Sequence, residues 1–175
     1  RWRLLLAGNR DEFHARATAD LAPWPDRGVL AGRDLHSGGT WVGLDRRGRI
    51  AVVTNVRDGF ALPHAGPSRG ALPIAFLDHQ ADAGATSAAL LEDAAAYAPF
   101  NLILADAEAC WHLGNHPPQR DTLAAGVHGI SNGRVDDPWP KTRCLTTALQ
   151  GWVEGASDDL LPLLAGNLRR IDEVR

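Results

Sequence analysis

The chain has 175 residues with 45% hydrophobic and 22% charged residues, which fits a single globular domain over residues 1–175. Its formal net charge of -3 and scattered basic residues give no nucleic-acid-binding footprint, so no nucleic-acid partner is expected. No apolar run approaches the roughly 20 residues that cross a bilayer, so we also expect no membrane span.

The first part of the chain predicts a strand, a loop and a hairpin. Residues 4–7 form a short apolar run that is typical of a buried strand. Residues 14–28 contain prolines and no periodicity, which indicates a loop. Residues 39–55 contain two runs rich in β-branched and aromatic residues, joined near Gly48, which can adopt a positive φ. This pattern predicts a β-hairpin.

The basic residues are almost all arginine. Arg46, Arg47 and Arg49 form the one tight basic cluster, and they surround Gly48 at the tip of the predicted hairpin. Such a cluster at a turn usually lies in solvent, so we expect a solvated turn. Lys141 is the only lysine, and together with the many alanines this is typical of a GC-rich bacterial genome.

The rest of the chain predicts two pairs of helices, separated by a hairpin and a further strand. Ser68 is a favourable N-cap for the first helix, and Pro73 must lie near its first turn. The predicted helices cover residues 69–82, 86–98, 141–153 and 158–164, the hairpin strands 100–105 and 110–113, and the last strand 126–131. Strands joined by short hairpins and helices in pairs favour an α+β fold, with antiparallel sheets and helices packed outside them.

Residues 129–133 match G-x-S-x-G, the nucleophile elbow of α/β-hydrolases. An elbow needs a helix directly after its serine, but Pro138 and Pro140 follow Ser131 closely. It also needs a histidine base later in the chain, and the last histidine, His128, precedes the serine. We therefore do not interpret the motif as an elbow.

The histidines and cysteines give no metal-binding or cofactor-binding pattern. His112 and His116 are four residues apart in a stretch that predicts a strand, where this spacing separates side chains by about 13 Å. Cys110 and Cys144 have neither disulfide-framework nor zinc spacing, which indicates small buried thiols in a reducing compartment. The glycines of residues 32–40 lack phosphate-loop spacing. We expect no metal, no cofactor and a cytoplasmic location.

Asn9, Arg10 and Asp11 directly follow the first predicted strand. On an extended chain the side chains of Arg10 and Asp11 point to opposite faces, so one can face a pocket while the other anchors the backbone. From the residues alone, a structural ion pair or turn is the favoured interpretation.

These residues open a series of sequence blocks that resembles the NRDE family, also called the transport-and-Golgi-organisation type 2 family. The motif that names the family corresponds to Asn9, Arg10, Asp11 and Glu12. The later blocks follow in order at residues 32–34, 38–43, 51–57, 68–70, 100–102, 129–132 and 138–141. They contain the motif and pocket candidates Arg33, Asp34, Trp41, Arg69, Trp139 and Lys141.

The resemblance implies a four-layer αββα sandwich of mainly antiparallel sheets, like that of the N-terminal-nucleophile hydrolases. It also implies a Met-Cys start before the first strand and a last strand beyond residue 175, so we expect a partial domain. In such a hydrolase an N-terminal cysteine attacks an amide carbonyl, with its own α-amine as base. By position in the fold, Arg10 and Asp11 would fix the amine and thiolate, and Asn55 and Asn132 would bind the oxyanion.

Two functions follow from the resemblance, and each has a small molecule as the partner. The first is an amide hydrolase that acts on a small acylated substrate. The second is a non-catalytic protein that handles haem, acyl-CoA or lipid, because family members are tied to secretory organisation, lipid metabolism and haem trafficking. Trp41, Phe100 and Trp139 are candidates for lining its pocket, although core packing is the commoner use of such residues. The oligomeric state stays open.

Overall fold

The structure is a computed structural model that describes residues 3–8, 15–56, 65–156 and 158–163. Its centre is one antiparallel sheet of seven strands, which lie side by side in the order in which they occur in the chain. The strands are β1 (Thr18–Trp24), β2 (Val29–Asp34), β3 (Val42–Asp45), β4 (Ile50–Asn55), β5 (Phe100–Ala105), β6 (Cys110–Asn115) and β7 (Pro118–Thr122).

Two helices cover one face of this sheet. They are α1 (Ala71–Asp78) and α2 (Ala83–Asp93), and a 3-10 turn over Ala94–Ala96 follows α2. Their apolar side chains pack against alternate residues of the central strands and exclude water from them. The core contains Leu72, Phe76, Leu77, Ala51, Val53, Phe100, Leu102, Leu104 and Leu113, all buried.

The opposite face of the sheet is also aliphatic, but it is only half-buried. The strand register places Leu30, Leu44 and Ile50 in one cross-strand row. It places Val42, Val52 and Ile103 in a neighbouring row. All six residues have intermediate exposure.

The third helix, α3 (Pro140–Glu154), follows a long loop after β7. Pro140 fits at its first position because the amide that proline lacks would have no partner inside the helix there. No helix among the described residues has the length and apolar character needed to cross a membrane.

Several predicted elements are confirmed. The two hairpins are β3–β4 and β5–β6, and their central residues pair antiparallel as expected. Gly48 adopts a φ of 75° at the tip of the first hairpin. Pro73 is the third residue of α1, and α3 covers the helix predicted at residues 141–153. The α+β fold with an antiparallel sheet is therefore confirmed.

Two predictions for the first 28 residues were wrong. Residues 4–7 are not a strand, and Leu4 and Leu6 are 44% and 51% exposed, because hydrophobicity alone provides no neighbouring strand to pair with. Residues 14–28 are not all loop, because Thr18–Trp24 forms β1. β1 is an edge strand of the described sheet, where Pro23 costs little because one side of the strand needs no hydrogen-bond donor.

The strand predicted at residues 126–131 is also wrong. These residues form a loop that bonds to itself: Asp136 N–H donates to the Gly129 carbonyl (2.7 Å), and Gly129 N–H donates to Asp136 Oδ1 (2.8 Å). The backbone groups of Gly129 are therefore satisfied without a neighbouring strand. The last described strand is instead β7, whose polar sequence gives no apolar alternation.

The helix boundaries differ from the predicted ones for local reasons. Ser68 is not the N-cap of α1, which is Gly70, although the Ser68 hydroxyl accepts a hydrogen bond from Gly70 N–H at 3.3 Å. α2 begins earlier than predicted because the Asp82 carboxylate caps it by accepting from Ala85 N–H at 2.6 Å. The helix predicted at residues 158–164 is a helical turn over residues 161–163 within the described part.

The solvated turn predicted for the arginine cluster is wrong for Arg49, which is only 4% exposed. Its guanidinium donates to Asp45 Oδ2 (2.8 Å) and to the Leu77 and His79 carbonyls at the end of α1 (2.9 and 2.7 Å). A helix leaves its last carbonyls without partners, so a buried guanidinium with several donors satisfies them. Burial opposes ionisation of Asp45, but hydrogen bonds from Arg49 and Arg47 lower the pKa of this carboxyl overall.

Candidate functional site

Three residues from separate parts of the sequence meet where β4 ends. Asn55 is the last residue of β4, Asn132 lies in the loop before α3, and Lys141 is the second residue of α3. Asn132 Nδ2 donates to the Asn55 carbonyl at 3.0 Å, and Lys141 Nζ donates to Asn132 Oδ1 at 3.0 Å. The side-chain amide of Asn132 is therefore fixed at both of its polar atoms.

The loop around Asn132 is bonded to the sheet on both sides of that residue. Thr54 Oγ1 donates to the Ser131 carbonyl at 3.2 Å, and Asn101 Nδ2 donates to the Gly133 carbonyl at 2.7 Å. Asn101 and Thr54 are paired neighbours on β5 and β4, so both bonds rise from the same spot on the sheet. The backbone that carries Asn132 is thereby held against the half-buried face.

A buried histidine orients the amide of Asn101. His112 Nε2 lies 3.0 Å from Asn101 Oδ1, and Gln119 Nε2 lies 3.2 Å from His112 Nδ1. Because Asn101 Nδ2 donates to Gly133, its Oδ1 accepts, so His112 is protonated at Nε2 and its Nδ1 accepts from Gln119. Burial lowers the pKa of His112, against the opposing charge of Asp121, and this favours the neutral ring.

Two glycines allow close packing of the loop, one against α3 and one within the loop itself. A Cβ atom on Gly129 would lie 2.3 Å from the Thr142 methyl group and 2.7 Å from that of Thr146. A Cβ atom on Gly133 would lie 2.6 Å from the Asp137 carboxylate and 3.1 Å from the indole nitrogen of Trp139. The G-x-S-x-G motif therefore serves close packing.

The loop does not form a nucleophile elbow. No helix directly follows Ser131, as predicted, because α3 begins only at Pro140. The hydroxyl of Ser131 is buried and has no hydrogen-bond partner within the described ranges. His128 instead bridges Asp136 (2.8 Å) and the Ala124 carbonyl (2.9 Å), and the hydrogen bond with Asp136 raises the pKa of this histidine.

A family model described as Transport and Golgi organisation 2 matches residues 1–170 of the chain. The chain belongs to this family. The Transport and Golgi organization protein 2 homolog of Bos taurus is 33% identical over 80% of this chain and 54% of its own length, and that of Homo sapiens is 32% identical over the same shares. Transport and Golgi organization protein 2 of Drosophila melanogaster is 28% identical over 97% of this chain and 66% of its own.

The chain thus spans about half the length of its mammalian relatives in the Transport and Golgi organisation 2 family. These relatives come from animals, so the bacterial origin predicted from composition stays a prediction. The residues that name the family in the sequence, Asn9, Arg10, Asp11 and Glu12, lie outside the described residues.

Arg69, another family-motif residue, is connected to the end of β4. Its Nη1 donates to the Pro99 carbonyl at 2.9 Å, and the same oxygen accepts from Val56 N–H at 3.1 Å. Val56 directly follows Asn55, so Arg69 supports the chain where it leaves the site.

The family-motif residues of β2 have structural roles. The guanidinium of Arg33 lies over the Trp24 ring, 4.5 Å from its centroid. Asp34 accepts from Arg16 at 2.6 Å and from His36 N–H at 2.9 Å, and although burial opposes it, these bonds hold the pKa of the Asp34 carboxyl well below its usual range.

The aromatic candidates separate into core and surface. Phe100 is fully buried in the core, and Trp41 is half-buried against that core. Trp139 is instead 43% exposed and lies directly before α3. Of these three, Trp139 is the one that presents a large apolar surface beside Gly133 and the Asn132 loop.

Neither described cysteine is a buried thiol of the predicted kind. Cys110 is half-buried, and Cys144 is exposed on α3. Burial and the charge of Asp106 raise the pKa of the Cys110 thiol, which leaves it a poor nucleophile. Among the described residues no group of three or more His, Cys, Asp or Glu side chains could hold a metal ion.

Proposed function

We propose that the full-length protein hydrolyses an amide bond of a small acylated substrate, with the Asn55–Asn132 pair binding the carbonyl oxygen. The observation that carries this proposal is the fixed amide of Asn132 at the end of β4, held by the Asn55 carbonyl and by Lys141 at 3.0 Å each. Attack on an amide builds negative charge on the carbonyl oxygen, and a preorganised N–H donor stabilises that charge.

The geometry favours Asn132 as such a donor. Its amide nitrogen has two N–H groups, and within the described residues one of them bonds to Asn55, so the second can donate to a ligand. The Lys141 ammonium bonds to the oxygen of the same amide and draws electron density from its nitrogen. Hydrogen bonds in a chain strengthen one another, so Asn132 becomes a better donor.

The proposal includes an N-terminal cysteine of the full-length protein as nucleophile, with its own α-amine as base. Arg10 and Asp11 would fix the amine and the thiolate. It also includes the four-layer αββα sandwich, because the half-buried aliphatic face of the sheet is the kind of surface against which a second sheet packs. A cytoplasmic location, which fits two cysteines without disulfide-framework spacing, belongs to the same proposal.

The test is a panel of acylated amide substrates, assayed with full-length protein whose mature N-terminus has been determined by intact mass. Asn132→Ala should lower kcat by about 100-fold, the usual effect of removing one oxyanion donor. Asn115→Ala is the matched control, because the Asn115 amide makes three hydrogen bonds elsewhere in the fold. A loss of less than about tenfold for Asn132→Ala in an active protein would refute the role of this residue.

A second candidate function is non-catalytic binding of haem or acyl-CoA. The observation that favours it is the exposed indole of Trp139 beside Gly133, one residue from Asn132, since a flat apolar ring suits the apolar part of such a ligand. Haem and an acyl-CoA should then bind full-length protein at micromolar concentration, and Trp139→Ala should weaken binding. If neither ligand binds the wild type at that concentration, this candidate is excluded.

A further inference from the structure

A run of hydrogen bonds connects the edge strand β7 with the loop that carries Asn132. Gln119 on β7 bonds to His112 on β6, and His112 bonds to Asn101 on β5. We call these three residues the Asn101 relay. Asn101 completes it by donating to the Gly133 carbonyl at 2.7 Å, one residue beyond Asn132.

The relay places a polar side chain, that of Asn101, in the otherwise apolar strand β5, and this indicates a role beyond core packing. Asn101 is 4% exposed and His112 is 1% exposed, and residues 102–104 of the same strand are all aliphatic. Burying an amide and an imidazole is unfavourable unless their hydrogen bonds are made, and apolar residues would fill the same space at lower cost. The bond from Asn101 to the Gly133 carbonyl is the one by which the relay reaches the Asn132 loop.

We propose that Asn101 and His112 are positioning residues for Asn132, which rests on the proposed role of Asn132 in carbonyl binding. The two peptide carbonyls on either side of Asn132 are fixed by two neighbouring anchors, that of Ser131 by Thr54 and that of Gly133 by Asn101. The two anchors are themselves connected, because Asn101 Nδ2 also donates to Thr54 Oγ1 at 3.5 Å. With both anchors in place, the backbone cannot rotate the amide of Asn132 away from the end of β4. His112 Nε2 lies 3.0 Å from Oδ1 of the same Asn101 amide, so the amide is held at both of its ends.

Asn115 provides a matched control for this role. Its amide also makes three hydrogen bonds, accepting from Phe100 N–H and donating to the Ala94 and Tyr97 carbonyls. None of these partners belongs to the Asn132 loop. Truncation of Asn115 therefore removes the same chemical groups without releasing that loop.

The experiment compares full-length Asn101→Ala and Asn115→Ala by hydrogen–deuterium exchange of the peptide covering residues 126–139. Asn101→Ala should speed exchange there by about fivefold, the effect of losing one ordinary hydrogen bond, and Asn115→Ala should leave it unchanged. Equal exchange in both variants, or no change in Asn101→Ala, overturns the proposal. Thr54→Val, which keeps the β-branched shape and removes the other anchor, should also speed exchange, and it decides the matter if Asn101→Ala does not fold.

A kinetic readout separates positioning from general stability. With an amide substrate that the wild type hydrolyses, Asn101→Ala should lower kcat by about tenfold while KM changes less than about twofold, because the oxyanion donor is displaced mainly in the transition state. A fall in kcat that Asn115→Ala reproduces overturns the positioning role. If the wild type hydrolyses no amide, the proposed function fails, and the exchange measurement still decides whether the relay holds the loop.

Discussion

Replacing Arg49 by methionine tests what holds the first hairpin against the end of α1. The guanidinium is buried and donates to Asp45 Oδ2 (2.8 Å) and to the carbonyls of Leu77 (2.9 Å), His79 (2.7 Å) and Ala81 (2.9 Å). The substitution removes the charge and all of these donors. It leaves one buried carboxylate with fewer partners, and it removes this donor from two carbonyls at the end of α1 and from the Ala81 carbonyl between α1 and α2.

The magnitude follows from the remaining contacts. Methionine keeps an apolar chain over the Phe76 ring, whose centroid lies 4.4 Å from the guanidinium carbon, so little packing is lost. Breaking a buried ion pair from one side costs about 3–5 kcal/mol. Asp45 keeps Arg47 as a partner at 3.0 Å, so we expect the lower end, about 3 kcal/mol of unfolding free energy.

Urea unfolding followed by tryptophan fluorescence measures this loss. Arg47→Met is the control for burial, because Arg47 also bonds to Asp45 and to the His79 carbonyl, but its side chain is 40% exposed and these bonds are screened by solvent. That control should cost less than about 1 kcal/mol. If the two variants lose equal stability, burial of the Arg49 guanidinium adds nothing to its contact with the end of α1, and the expected difference is refuted.

Two further predictions concern acid and the loop. Folding lowers the pKa values of Asp34 and Asp45. The stability that these carboxylates contribute is therefore fully present above the pKa of an unfolded aspartate, about 3.9, and is lost as pH falls below it. Urea unfolding between about pH 5 and 2 should show a steep decline in the free energy of unfolding, and Asp45→Asn should make this decline shallower. Gly129→Ala should displace the loop from α3, because its new methyl group would lie 2.3 Å from that of Thr142. Hydrogen–deuterium exchange in residues 126–139 should then become faster. Gly151→Ala is the control, because the space around Gly151 is open, and it should leave this exchange unchanged.

The elements that could be predicted from the sequence are those whose conformation is determined by their own residues. The first hairpin was predicted because two runs rich in β-branched and aromatic residues meet at a short turn, and the second hairpin and α3 were also predicted. The edge strands β1 and β7 were missed, since one contains Pro23 and the other is the polar run Pro118–Thr122. Such strands form because a neighbouring strand offers hydrogen bonds, and that neighbour cannot be seen in a local window.

The residues of the candidate site also divide into those that were predicted from the sequence and those that were missed. Asn55, Asn132 and Lys141 were chosen by their sequence blocks, and the structure brings all three within hydrogen-bonding reach. Asn101 and His112 were not chosen, although a buried asparagine inside an aliphatic strand was a usable signal. His112 was considered only as a metal ligand. Its hydrogen-bond partner Asn101 lies on the neighbouring strand, and no characteristic sequence spacing connects the two residues.

The site depends on loop packing more than on any single strand. Gly129 has no side chain where the loop meets α3, and Gly133 has none where the loop packs against its own Asp137 and Trp139. In this packed loop Asn132 reaches the Asn55 carbonyl across 77 positions of sequence. The sheet then fixes the loop from below through Asn101. A chemical group that must be rigid while lying on a loop needs such anchors on both sides, because loop backbone has few regular hydrogen bonds of its own. The position of Asn132 is therefore set by contacts distant in sequence.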